Sequence, residues 1–295
     1  MTASAMQTPV QGLGQILRHW RQVRGMSQLD LALEAGSSAR HLSFVETGRA
    51  RASREMLLRL AEAMDLPLRE RNRLLNSAGY TAAYAARPLN DAQFDKLRAA
   101  LDFMLRQQEP YPAIVMNRVF DVLMINGAGL RLLTMLGLGG NGQGAGAGGN
   151  NTDGAAEKER SGPPNILRLM LHPNALRPVL HDWERAAAHM VERAHRQLTG
   201  AGAEDPLKRL LDEVLAYPGV PSSFAQSNPS LDALPVLPLT FEVNGRALSW
   251  ITTVASFGTP QDVTAEEIMI ESFFPADEET EDAIRRQMMA EAGGG

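Results

Sequence analysis

The chain contains no cysteine. Disulfides and thiolate metal sites are therefore excluded, and a reducing compartment is expected. No apolar run approaches the ~20 residues that cross a bilayer. The opening stretch MTASAMQTPVQG has neither the basic nor the apolar region of a secretory leader. These absences predict a cytoplasmic protein with no membrane partner. Residues 137–164, GLGGNGQGAGAGGNNTDGAAEKERSGPP, lack the Gly-Lys-Ser/Thr ending of a phosphate-binding loop. That stretch cannot bury enough apolar surface to offset its ordering entropy, so a flexible loop is predicted. No serine sits in a glycine elbow, which removes the nucleophile of a hydrolase. Glu192 and His195 have the spacing of half a carboxylate-bridged metal site, but no second pair exists and Arg193 and Arg196 would repel a cation. No enzyme activity, metal or resident cofactor is expected.

What is present divides unevenly. The 295 residues carry a net charge of −5, and their number favours two domains over one. Residues 1–88 hold twelve arginines and seven acids, a net +5, which leaves −10 for the remainder. A basic head on an acidic body suits a polyanion-binding domain joined to one that avoids polyanions. A merely solvated basic surface would give the same count.

The head reads as five short helices. Leu13, Ile16, Leu17, Trp20 and Val23 form one apolar stripe at helical spacing, ended by Gly25. Ser27 caps a second helix, Gln28 to Ala35, closed by Gly36. Ser37 or Ser38 caps a third, closed by Gly48. Ser53 caps a fourth and Pro67 opens a fifth. Ala32 is small enough to let the third helix approach the second, and Gly36 permits the positive φ of the turn between them. Leu31, Leu42 and Val45 fill the core beneath. Ser38, Ala39, Arg40, His41, Ser43 and Phe44 remain around the outward tip of the third helix. In helix-turn-helix proteins that tip enters the major groove. Gln28 can reach a phosphate or lock a neighbouring side chain.

Residues 13–77 resemble the Cro/C1-type (XRE) helix-turn-helix family. Ser27, Gln28, Leu31, Ala32, Gly36, Ser38, Glu46, Gly48, Arg49, Arg51, Leu57, Leu60, Ala61 and Leu66 carry the match. The resemblance implies a structural role for Glu46 at the end of the recognition helix and phosphate contacts for Arg49 and Arg51. Ala52 departs from the proline frequent in the family.

Beyond a connector at 78–92, short strands are expected at Ala113–Met116 and Asp121–Ile125, with Asn126 capping a helix to Leu136. Helices are expected over Asp91–Gln107, Asn165–Leu171, Ala175–Leu180, His181–Leu198 and Asp205–Ala216. A hairpin at Asn244-Gly245 joins strands Leu237–Val243 and Arg246–Phe257, and Glu267–Phe274 adds a third. An acidic, frayed helix is expected after Pro275.

Pro112-Ala-Ile-Val-Met-Asn117, Phe120–Asn126, Leu171–Arg177, Asp182-Trp-Glu184, Asp205-Pro206 and Leu237-Pro-Leu239 resemble the ligand-binding domain of MmyB-like regulators. The resemblance implies a PAS-like fold that binds a small apolar molecule, with fatty acids as the candidate class. The expected architecture is multidomain: an all-α helix-turn-helix N-terminal domain (12–80), then an α+β PAS-like C-terminal domain (93–275). Phe103, Met116, Met124, Met170, Met190 and Phe224 are candidate ligand contacts, since methionine adapts to irregular apolar volumes, although residue by residue a plain core role is the better reading. His172, Arg177 and Arg168 are candidate partners for a ligand carboxylate, or caps. The expected function is a ligand-responsive repressor that binds double-stranded DNA as a homodimer. The alternative is a constitutive DNA-binding module whose C-terminal domain makes only protein contacts.

Overall fold

A computed structural model describes residues 12–138, 163–198, 205–228 and 236–293. The N-terminal arm (1–11) and most of the expected loop at 137–164 lie outside the described residues. The chain divides into two compact units. The first holds the N-terminal residues to Pro88 and also a later segment, Phe257–Glu266.

In the first unit lie α1 (Leu13–Val23), α2 (Gln28–Glu34), α3 (Ala39–Glu46), α4 (Arg54–Ala63) and α5 (Leu68–Ser77). Their apolar stripes converge: Leu17, Leu31, Leu42, Leu57, Leu60, Leu74 and Leu75 are wholly buried. The expected caps are in place. Ser27 and Asp30 form a reciprocal capping box, and Ser38 and Ser53 accept from the His41 and Met56 amides. Gly25, Gly36 and Gly48 all take positive φ just past their helices. Gly14 meets a different demand. A Cβ there would stand 2.0 Å from the Glu46 carbonyl oxygen, so α1 crosses the end of α3 only without a side chain.

The second unit contains α6 (Asp95–Gln107), β1 (Ala113–Met116), β2 (Val122–Ile125), α7 (Gly127–Met135), α8 (Ile166–Leu171), α9 (Trp183–Gln197) and α10 (Pro206–Leu215). β3 (Leu239–Val243), β4 (Arg246–Ala255), β5 (Met269–Pro275) and α12 (Glu278–Gly293) follow, with the short α11 (Val263–Glu267) between β4 and β5. The strands form one antiparallel sheet in the order β2-β1-β5-β4-β3. Asn244 and Gly245 both take positive φ at the β3–β4 turn, as the dipeptide predicts. One sheet face carries Ile114, Met116, Phe241, Leu248 and Trp250 into a core shared with α8, α9 and α10. Val115 and Ile270 alternate to the opposite face and are equally buried. The observed unit is α+β, as expected.

One expected helix is corrected. Ala175–Leu180 contains only a 3-10 turn at Arg177–Val179, because Pro178 offers no amide to continue a helix. The acidic C-terminal segment forms a regular helix, capped at Asp277 through the Thr280 amide at 2.8 Å.

Candidate DNA interface and ligand-binding domain

The α2–turn–α3 pair is held from behind by Glu46. Its side chain is wholly buried and accepts from Arg21 Nε (2.8 Å), Arg21 Nη2 (3.2 Å) and Gln28 Nε2 (2.8 Å), with Arg18 Nε 3.6 Å away. Burial pushes this carboxyl up, but the hydrogen bonds from Arg21 and Gln28 and the two guanidinium charges prevail and hold it below the usual range. The network ties α1, α2 and α3 at one point. Gln28 thus locks a neighbour through one of its two amide N–H groups, and the second remains for a phosphate.

With Leu42, Val45 and Glu46 turned inward and Ala39 packed against the edge of the core, α3 presents its remaining residues outward. Ser38 and Arg40 are exposed; Ala39, His41, Ser43 and Phe44 are half-buried along the same edge. The Arg40 guanidinium lies 5.5 Å from the Phe44 ring centroid, which pre-orders a long side chain at the tip.

Several arginines of this unit are engaged within it. Arg24 donates to the Met64 and Asp65 carbonyls, Arg59 to the Ala35 carbonyl and Arg71 to the Leu66 carbonyl, closing helix ends. Arg21 and Arg87 are in ion pairs with Glu46 and Asp262. Arg40, Arg49 and Arg51 make no ion pair among the described residues, and all three are exposed. Of these three cations, Arg40 stands in the first turn of α3, and Arg49 and Arg51 follow its C-terminal end.

In the second unit the expected ligand contacts separate. Met116, Met170 and Met190 are buried in the core, and Phe224 packs against it. Met124 is half-buried on β2. Phe103 is a correction: it is 56% exposed, because α6 turns Leu101 and Leu105 inward and the residue between them outward. The expected carboxylate partners are already engaged. Arg168 makes a bidentate pair with Glu213 at 2.7 Å for both bonds. Arg177 donates to the Pro218 and Gly219 carbonyls and lies 3.9 Å above the Trp183 ring. His172 Nδ1 accepts from the Asn174 amide, and its ring meets Tyr217 edge-on.

Glu192 accepts from the Ser227 hydroxyl and the Asn228 amide, and His195 Nε2 donates to the Phe224 carbonyl. Both side chains hold the 222–228 segment in place. No group of three or more potential metal ligands occurs among the described residues, and no described helix is long and apolar enough to cross a membrane.

An open groove of about 390 Å³ lies beside the β3–β4 turn. Met135, Val243, Leu248 and Ile284 supply its apolar lining, and Arg246 and Arg286 stand at it with no ion pair among the described residues. Sequence reading missed this groove. Its lining comes from α7, the hairpin and α12, and the only local hint is a pair of arginines on polar surface.

Residues 97–286 match the family described as the MmyB-like transcription regulator ligand binding domain, and residues 17–71 match a helix-turn-helix family. No curated protein matches the chain. Among solved structures, the restriction-modification controller protein C.AhdI from Aeromonas hydrophila is 37% identical over 20% of this chain and 89% of its own, with a TM-score of 0.19. An RNA-binding light-oxygen-voltage receptor is 12% identical, with 98% of this chain and 64% of that one aligned, at a TM-score of 0.22. Overlays this poor bear no argument about fold or function. Both matched families are binding modules of regulators, and neither is catalytic. With a helix-turn-helix ahead of it, the larger match identifies the chain as a member of the MmyB-like ligand-binding family, a DNA-binding transcription regulator.

Proposed function

We propose that the protein is a ligand-responsive repressor that binds duplex DNA as a homodimer and senses an amphiphile with an apolar tail and an anionic head, a fatty acid being the simplest case. The observation that carries the DNA half is the set of exposed arginines with no ion pair among the described residues, Arg40 in the first turn of α3 and Arg49 and Arg51 just past its end, on a helix whose inner side is locked by Glu46. A single module of this size buries modest surface on DNA, and pairing two of them supplies useful specificity. The groove supports the ligand half: an apolar lining suits an acyl chain, and Arg246 and Arg286 suit its carboxylate.

The test has two arms. A duplex selected from a random-sequence pool by the full chain is titrated at several salt concentrations. Arg49→Ala and Arg51→Ala should each reduce the slope of log affinity against log salt by about 1. In the second arm, melting is followed with a long-chain carboxylate, its methyl ester and the matching alcohol. The carboxylate should stabilise most, and Arg246→Ala with Arg286→Ala should abolish that preference. Absence of a shift with all three compounds would sink the sensing half and leave a constitutive DNA-binding module.

A further inference from the structure

The first unit is not built from the N-terminal residues alone. Its member Phe257–Glu266 is the connector between β4 and β5, strands of the ligand-binding domain. Three features fix this connector within the unit. Glu266 Oε2 accepts from the Leu68 amide at 2.7 Å. The Val263 amide donates to the Ala85 carbonyl at 2.8 Å, and Val263 is 1% exposed. Asp262 pairs with Arg87 Nη1 at 2.8 Å while accepting from the Thr264 amide at 2.8 Å, which starts α11.

The first contact answers a need that α5 cannot meet by itself. Its N-cap is Pro67, whose ring has no oxygen to accept from the first turn, and no side chain of the cap does so. The leading amides of a helix have no partner inside it, and the helix dipole favours a negative group there. Glu266 brings both an acceptor and a charge, from 198 residues along the chain. Glu266 is also only three residues from Met269, where β5 begins, so the carboxylate that caps α5 is joined by a short tether to the start of a sensor strand.

We propose that Glu266 is a positioning residue of the DNA-binding unit, supported by Asp262, and that the β4–β5 connector carries changes in the sensor strands to α5 and thence to the helix-turn-helix. The inference rests on the DNA-binding reading and is independent of which ligand the sensor takes. Helix α5 packs in the same core as α1 and α4. Releasing its first turn therefore loosens the frame that holds α3 rather than α3 itself.

A double-mutant cycle on the full chain tests this. Phe273 of β5 meets Trp250 edge-on inside the sensor and has no place in DNA binding. Affinity for the selected duplex is measured for wild type, Phe273→Ala, Glu266→Ala and the double variant, with Glu266→Gln as a milder second form. Hydrogen exchange is read over Leu68–Arg71 in each. Phe273→Ala should weaken DNA binding fivefold or more and speed exchange in that turn. On the Glu266→Ala background it should alter affinity less than twofold. Glu266→Gln, which can still accept but brings no charge, should fall between. The proposal is overturned if Phe273→Ala leaves affinity unchanged, or changes it equally on both backgrounds. If no duplex is selected at all, the DNA-binding reading fails instead, which is a distinguishable result.

Discussion

Glu46 and Glu271 are both nearly lost to solvent, yet their surroundings drive their carboxyls in opposite directions. At Glu46 the effect of burial is outweighed by Arg21, Gln28 and Arg18, so the folded carboxyl titrates below its unfolded value. The stabilisation it gives is complete above the ordinary carboxylate range and drains away as pH falls through the folded value. At Glu271 burial prevails over Arg193, whose Nη1 stands 3.6 Å off, and over Thr252, and one carboxylate oxygen has no hydrogen-bond partner. Its folded carboxyl keeps its proton longer than the unfolded one, so stability is greatest below the unfolded value and is lost as pH rises through the folded one. Glu46→Gln should cost roughly 2 kcal/mol at neutral pH through weakened charge-assisted hydrogen bonds. That deficit should narrow in acid. Glu271→Gln should raise the melting temperature at neutral pH and lose that advantage in acid. Melting curves between pH 3 and 8 check both, and parallel displacements at all pH values would refute the assignment.

At the scale of elements, α3 combines two independent jobs, and its two faces separate under mutation. Arg40→Ala and Ser43→Ala remove outward groups, so each should cost about 1–3 kcal/mol of binding to the selected duplex with little change in melting temperature. Fluorescence anisotropy and a melting curve on the same samples decide it; equal affinity for wild type and variants would remove α3 as the reading helix. The elements legible from sequence were those whose causes are local. The serine caps, the glycines past α1, α2 and α3, and the Asn244-Gly245 turn each act within four residues. Periodicity placed the long helices and most of the sheet. Elements set by distant partners were not legible. Nothing near Gly14 announces that α3 ends against it, and nothing near Pro67 says that its helix is capped by Glu266. The same reasoning explains Phe103 and the groove. Composition identified apolar side chains but could not say which helix face they occupy or which three elements would leave a gap.

For the molecule as a whole, the order of residues along the chain and the grouping of residues in space disagree at the β4–β5 connector. A fragment ending at Pro88 keeps the five helices but loses the Glu266 carboxylate, the Asp262 partner of Arg87 and buried Val263. It should still fold, since the leucine core of the helices lies wholly within it, but should melt below the corresponding transition of the full chain. The missing cap alone accounts for about 1 kcal/mol. Calorimetry of fragment and full chain tests this, and an identical transition would show the connector to be a passenger. The arrangement also constrains anyone who wishes to transplant the reader onto a foreign sensor. Splicing at the apparent boundary near residue 88 would discard a fastening sewn in from residues 257–266, so a working chimera must import the stitch as well as the helices it holds.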